Sequence, residues 1–184
     1  VSVKAEENTS LTVLEDEYNI MMVIDKSGSM NNADPNHIAQ DAAAMFVDSF
    51  QVKNSSIGLV TFSKESSVVT EPLSIANSKN KQKLKKAIND ISYDALGTGG
   101  TDLGKAVGAA ATTLKKKAEK GKKNLIIMFT DGYTEGVSGS DLDESNKALE
   151  DGIATAKKLN CEVYVVGLNS DGGIQEEGVR QISY

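Results

Sequence analysis

The segment Asp25-Lys26-Ser27-Gly28-Ser29 places one carboxylate and two hydroxyl groups on alternate residues of a short stretch of chain. It directly follows the apolar run at residues 20–24, which has the composition of a buried strand. Carboxylate and hydroxyl oxygens are hard ligands, which small divalent cations such as Mg²⁺ prefer. The segment therefore predicts a loop at the end of a strand that could bind Mg²⁺ or Mn²⁺.

Two further polar clusters fall where the same ion could reach them. Gly99-Gly100-Thr101-Asp102-Leu103 opens a helical pattern, and Thr130-Asp131-Gly132 directly follows an apolar run at residues 125–129. Ligands of open α/β sheets bind at the carboxyl ends of the strands. We therefore expect the three clusters to converge if the strands at residues 20–24 and 125–129 are neighbours.

The chemistry of these side chains predicts how a ligand would bind. Hydroxyl groups are neutral and the candidate ligands include only two carboxylates, so at least one coordination position of a Mg²⁺ ion is left to water. A Glu or Asp side chain of a protein or peptide partner could displace that water. The alternative is that these residues only cap helices and form turns. Three clusters in this order favour the metal site, whereas Asp102 is better explained as a helix cap.

The elements that must position these residues follow from the apolar pattern. Continuous runs rich in Ile and Val predict strands covered on both faces, at residues 20–24, 57–62, 125–129 and 163–168. Asp34-Pro35 predicts the start of a helix. Its expected buried face carries Ile38, Ala42, Met45, Phe46 and Phe50. A later helix, from Asp102 to about Lys120, is expected to bury Val107, Ala110, Ala111 and Leu114.

This alternation of strands and helices predicts an α/β fold with a doubly wound, mostly parallel sheet and helices on both faces. Residues 66–70 closely follow a strand and predict one short antiparallel edge strand. Residues 1–17 are mostly polar and are expected to form an N-terminal arm or linker, with the folded domain at residues 18–184.

The order D-x-S-x-S, G-G-T-x-L and T-D-G resembles the metal-ion-dependent adhesion site of the von Willebrand factor A and integrin I-like domain family, of the bacterial type. The resemblance extends over nearly the whole chain, from Tyr18 to Ser183. It implies a Rossmann-like fold and a non-catalytic, adhesion-type module that binds protein ligands through a metal ion. It also implies five metal ligands: hydroxyls of Ser27, Ser29 and Thr101, and Asp25 and Asp131, which bind directly or through water.

The resemblance is incomplete at the C-terminal end. Members of the family continue with another strand and a last helix, which would follow the segment at residues 174–183. We therefore expect a domain that is C-terminally incomplete and part of a larger protein. The strand at residues 163–168 would then be an exposed edge, and a complete affinity switch is not predicted.

The composition argues against nucleic acid as a partner and against membrane insertion. The 184 residues carry a net charge of −6, which disfavours nucleic-acid binding, and no apolar run is long enough for membrane insertion. Cys161 is the only cysteine, so an intrachain disulfide is excluded.

Residues 1–7 could be the end of a secretory signal, which suggests an extracellular or cell-surface location. The alternative is a cytoplasmic module that assists an AAA-type ATPase or chelatase complex. The oligomeric state stays open.

Other candidate sites are weaker. A metal-dependent phosphohydrolase would need a second acidic residue two positions after Asp25, where this chain has Ser27. The only histidine, His37, is expected to be exposed rather than catalytic. The acidic stretch at residues 138–144 could bind a second cation but is more typical of a helix start. The loops at residues 31–34, 94–98 and 133–139 are expected to frame the ligand-binding surface.

Overall fold

The computed structural model describes residues 16–97, 100–132 and 140–168, with the backbone alone described for Ser140 and Asp141. Its strands are β1 (Tyr18–Asp25), β2 (Ser56–Phe62), β3 (Ser66–Ser74), β4 (Lys123–Thr130) and β5 (Cys161–Gly167). Its helices are α1 (Met30–Ala33), α2 (Ile38–Ser49), α3 (Ser78–Asn89), α4 (Leu103–Lys117) and α5 (Ser140–Lys158). No helix in these ranges is long and apolar enough to cross a membrane.

The five described strands form one sheet in the order β3-β2-β1-β4-β5. All neighbours are parallel except β2 and β3, which are antiparallel. Strand β1 lies at the centre, and its last residues pair with the ends of both neighbours, as Asp25 with Phe62 and Ile24 with Phe129. The predicted mostly parallel sheet with an antiparallel edge strand is confirmed, although β3 extends to Ser74.

A hydrophobic core covers each face of the sheet, which explains why the strands are continuously apolar. Alternate residues of β1 enter the two cores: Ile20, Met22 and Ile24 on one side, and Met21 and Val23 on the other. Helices α2 and α3 cover the first face, and α4 and α5 cover the second. The result is a three-layer α/β fold with helices on both faces, as expected from the sequence.

Strand β5 forms one edge of the sheet in the described part of the chain. One face of β5 packs on the second core through Cys161, Val163 and Val165. The other face exposes Tyr164 and Val166. The alternating exposure along β5 therefore differs from the nearly complete burial of β1 and β2.

The predicted buried face of α2 is wrong at Ile38 and Met45, whereas Ala42, Phe46 and Phe50 pack against the core. Ile38 and Met45 are 57% and 70% exposed, and the residues that face the sheet are Ala39, Ala43 and Val47. Small side chains at this spacing let the helix approach the sheet closely, while the larger Phe46 and Phe50 pack at the margin of the core. Apolar residues occur on both sides of α2, so hydrophobic spacing alone does not define its inner face.

The start of α2 also differs from the prediction. Pro35 precedes the helix, which begins three residues later at Ile38. Asp34 nevertheless caps α2, because its carboxylate accepts hydrogen bonds from the backbone nitrogens of Ile38, at 2.7 Å, and Ala39, at 2.8 Å. His37 adopts a left-handed conformation (φ 56°) between the cap and the helix, and its side chain is exposed as expected.

Helices α4 and α5 pack closely at positions without side chains. A Cβ atom on Gly104 would lie 1.9 Å from the Ser145 carbonyl oxygen, and Gly152 of α5 packs on Gly108 of α4. The four predicted core residues of α4, at positions 107, 110, 111 and 114, are all buried. The spacing of α4 from α5 therefore depends on glycine where the backbones meet.

We expect Gly104→Ala to destabilise the fold by about 1–3 kcal/mol, because the new methyl group would overlap the backbone of α5. Urea unfolding followed by circular dichroism measures the change. Gly108→Ala is the matched control: its Cβ would lie 3.3 Å from the Ala148 carbonyl oxygen, and the gain in helix propensity offsets that tighter contact. Equal stability of the two variants would contradict the close packing.

Candidate metal centre

Asp25 ends the central strand β1 and is completely buried. One carboxylate oxygen, Oδ1, accepts a hydrogen bond from the backbone nitrogen of Ser27 at 2.8 Å. The other, Oδ2, accepts a hydrogen bond from the hydroxyl of Thr130 at 2.7 Å. The carboxylate therefore connects the loop after β1 to the end of the neighbouring strand β4.

The two serines of the loop are adjacent in space as well as in sequence. Their hydroxyl oxygens lie 3.0 Å apart, close enough to bind one ion. Ser27 is buried, and Ser29 is the residue before α1, whose first residue Met30 is buried in the core. The predicted loop at residues 31–34 is thus mostly a short helix, which fixes the orientation of the loop at residues 25–29, here called the serine loop.

When no cation is bound, the surroundings of Asp25 are unfavourable for the negative charge of its carboxylate. The pKa of the Asp25 carboxyl is raised to about 6, chiefly by burial and to a smaller extent by the charge of Asp131, although hydrogen bonds from Ser27 and Thr130 act to lower it. No lysine or arginine in the described part of the chain forms an ion pair with Asp25. A divalent cation beside this carboxylate would supply the missing positive charge.

Thr101 is held at the same edge of the sheet by its neighbour Asp102. Thr101 is buried, and the backbone nitrogen of Asp102 donates a hydrogen bond to the Ser63 carbonyl oxygen, just after β2, at 2.8 Å. Asp102 Oδ1 accepts from the backbone nitrogen of Lys105 at 2.9 Å and from the Ser145 hydroxyl at 2.6 Å. Asp102 is therefore a helix cap, as predicted, and it also joins α4 to α5.

The segment after α3 packs directly against the serine loop. Gly28 has no side chain where the Ala95 carbonyl oxygen approaches, because a Cβ atom there would lie 2.6 Å from that oxygen. The Asp94 backbone nitrogen donates to the Lys26 carbonyl oxygen at 2.8 Å, and Lys26 Nζ contacts Asp94 Oδ1 at 2.6 Å. Asn31 Nδ2 donates to the Asp94 carbonyl oxygen at 2.7 Å. These contacts hold the two loops together.

Tyr93 extends this packing to the start of α2. Its hydroxyl donates a hydrogen bond to Asp34 Oδ2 at 2.8 Å, and its ring stacks on His37 with centroids 4.7 Å apart. Burial and the Asp34 carboxylate both raise the pKa of Tyr93. The phenol therefore stays protonated and donates to the carboxylate that caps α2.

The structure brings the predicted ligands to one edge of the sheet, by different routes. Asp25, Ser27 and Ser29 are linked by the contacts above, and the charge of Asp131 acts on Asp25. Thr101 is positioned through β2 and has no described hydrogen bond to the other four. Gly99, residues 133–139 and the side chains at residues 138–141 lie outside the described part. The prediction of a second cation in the acidic stretch is therefore untested.

Two residues at the centre, Thr130 and Asp94, were not among the predicted metal ligands. Thr130 was part of the third cluster, but its hydrogen bond to Asp25 becomes visible only when β1 and β4 pair. Asp94 has no motif of its own, and its role depends on the approach of the chain at Gly28. A hydroxyl or carboxylate at the end of a neighbouring strand is the signal that could have identified Thr130.

The set of possible ligands fits a hard cation that keeps an open position. No group of three or more His, Cys, Asp or Glu side chains suited to a metal occurs in the described ranges. The candidate ligands are thus two carboxylates, of Asp25 and Asp131, and three neutral hydroxyls. Oxygen donors of this kind suit Mg²⁺ or Mn²⁺, whereas softer metals prefer thiolate or imidazole ligands.

Comparison with known proteins agrees with this architecture. The family model for the von Willebrand factor type A domain matches residues 19–184. The chain is 29% identical over 145 residues to calcium-activated chloride channel regulator 1 of Mus musculus, a match covering 76% of this chain and 15% of that protein. The chain spans 12% to 15% of the length of the chloride channel regulators it matches first.

Solved structures share the fold. The PilB minor pilin from Streptococcus sanguinis superposes with a TM-score of 0.69 at 15% identity, over 94% of this chain and 55% of that chain. The conserved hypothetical protein BatB from Bacteroides thetaiotaomicron gives a TM-score of 0.60 at 22% identity, over 82% and 66%. Together with the match of the family model to residues 19–184, these findings show that the chain belongs to the von Willebrand factor type A domain family, whose members are protein-interaction and adhesion modules.

Proposed function

We propose that this chain is a non-catalytic binding module that holds Mg²⁺ or Mn²⁺ and coordinates an acidic side chain of a protein ligand through that ion. The proposed metal ligands are Asp25, Ser27, Ser29, Thr101 and Asp131. Asp25 and Asp131 would supply the charge, and the hydroxyls would complete the protein's share of the coordination shell. The ligand's carboxylate would take a position otherwise filled by water.

The observation that carries this proposal is the buried carboxylate of Asp25. It is completely buried, it lies near a second carboxylate, and its described hydrogen bonds come from the Ser27 backbone amide and the Thr130 hydroxyl. An isolated buried anion is costly unless it is protonated or paired with positive charge. A divalent cation satisfies this requirement and recruits the hydroxyls of Ser27 and Ser29 at the same time.

The same electrostatics support a role in ligand binding. With two carboxylates the site neutralises a divalent ion formally but offers few strong donors, so an external carboxylate remains a favourable additional ligand. The resemblance to a minor pilin is consistent with an extracellular or cell-surface location, which we include in the proposal. The proposal contains no catalytic step.

We expect wild-type protein to bind Mg²⁺ in isothermal titration calorimetry, and Ser27→Ala and Thr101→Ala to weaken that binding tenfold or more. Each substitution removes a neutral oxygen ligand, and tenfold corresponds to about 1.4 kcal/mol. Ser49→Ala on α2 and Thr112→Ala on α4 are matched controls, because both positions are exposed and far along the chain from the predicted ligands.

A second measurement tests whether the bound metal ion takes up a carboxylate from a ligand. N-acetyl-aspartyl amide, titrated in Mg²⁺ and followed by NMR, should shift amide signals of the wild-type serine loop and should not do so for Ser27→Ala or with chelator. The proposal would be contradicted if Ser27→Ala and Thr101→Ala both kept the wild-type affinity for Mg²⁺. It would also be contradicted if N-acetyl-aspartyl amide still bound in the presence of chelator.

Without metal, we expect Asp25 to make stability fall as the pH rises. The pKa of Asp25 is about 6 in the fold against 3.8 in an ordinary environment, so the folded state retains its proton longer. Its favourable contribution is complete below pH 3.8 and is lost as the pH rises through 6, by about 2–3 kcal/mol. Urea unfolding in chelator between pH 4 and 8 should therefore show Asp25→Asn gaining stability over wild type as the pH rises.

Mg²⁺ should reverse this difference, since it stabilises the wild type at pH 7.5 and leaves Asp25→Asn nearly unchanged. Asp41→Asn, at an exposed position of α2, controls for the removal of a carboxylate elsewhere. A pH-independent difference between wild type and Asp25→Asn in chelator would show that the buried charge carries no such cost.

A further inference from the structure

Leu96 exposes a large apolar side chain next to the metal centre. It is 57% exposed, although leucine is usually buried. Other exposed apolar residues, such as Ile38 and Met45, lie on α2 and have no described contact with the serine loop. Leu96 is different because its backbone touches the residue between the two candidate metal-binding serines.

The contact is made at Gly28. A Cβ atom at this position would lie 3.3 Å from the Leu96 Cα atom and 2.6 Å from the Ala95 carbonyl oxygen. Leu96 therefore lies against the residue between Ser27 and Ser29, at the same edge of the sheet as the candidate metal ligands. A ligand whose carboxylate reached the ion would bring its neighbouring residues to this edge of the sheet, where the Leu96 side chain is exposed.

The backbone that carries Leu96 is held in place before any ligand binds. Asp94 contacts Lys26 and Asn31, and Tyr93 is fixed by its hydrogen bond to Asp34. Gly97 follows Leu96 with a φ of 73°, in the left-handed region that glycine adopts without strain. An apolar group on a well-held backbone can be buried by a ligand with little additional loss of backbone entropy.

We propose that Leu96 is a specificity-determining contact, and that the favoured ligand presents an acidic residue directly beside an apolar residue. This inference rests on the proposed metal-dependent function and adds the chemistry of the partner to it. The acidic side chain binds the ion, and the adjacent apolar side chain packs on Leu96. Burying these two apolar surfaces together should tighten binding by roughly three- to tenfold.

The test uses four acetylated dipeptide amides: leucyl-aspartate, aspartyl-leucine, and the two counterparts with serine in place of leucine. Each is titrated into Mg²⁺-loaded protein and followed by NMR, with wild type, Leu96→Ser and Met45→Ser. Met45→Ser is the matched control, because it removes an exposed apolar side chain from α2. Thermal unfolding verifies that both variants keep the fold, as expected for exposed positions.

We expect at least one leucine peptide to bind wild type and Met45→Ser three- to tenfold more tightly than its serine counterpart. We expect that preference to disappear in Leu96→Ser, while Mg²⁺-dependent binding of the serine peptides persists. Equal binding of leucine and serine peptides by wild type, or a leucine preference that survives in Leu96→Ser, would overturn the inference alone. Absence of Mg²⁺-dependent binding for every peptide would instead overturn the proposed function, and this inference with it.

Discussion

The burial of the Asp25 carboxylate is the constraint on which the rest of the site depends. A charge at the end of the central strand cannot reach bulk water, so its environment must supply hydrogen bonds and positive charge. Ser27 and Thr130 supply the hydrogen bonds, yet burial still raises the pKa of Asp25 to about 6. In the proposed function a cation meets the remaining requirement, and the hydroxyls of the serine loop share it.

The fold serves this requirement by bringing three chain segments to one edge. Parallel pairing of β1 and β4 puts Thr130 against Asp25, and the attachment of Asp102 to Ser63 holds Thr101 at the end of β2. Glycine allows two close backbone approaches: Gly28 of the serine loop lies against the segment at Ala95, and Gly104 of α4 lies against α5. The polar loops are therefore fixed by packing of the layers beneath them.

Much of this arrangement could be predicted because its signals are local in the sequence. Strands buried on both faces are continuously apolar, and three polar clusters in a fixed order indicate one edge of the sheet. The inner face of α2 could not be predicted, because apolar residues occur on both sides of the helix and Ala39 and Ala43 face the sheet. The contact of Leu96 with Gly28 was also hidden, since it depends on the tertiary approach of two loops.

The central claim is that one divalent ion binds beside Asp25, and the position of Mn²⁺ in crystals tests it most directly. Anomalous diffraction from Mn²⁺-soaked crystals should show a single strong peak within coordination distance of Asp25 or its water ligand and of the Ser27, Ser29 and Thr101 hydroxyls. A peak confined to the acidic start of α5, or no peak at this edge of the sheet at saturating Mn²⁺, would contradict the account.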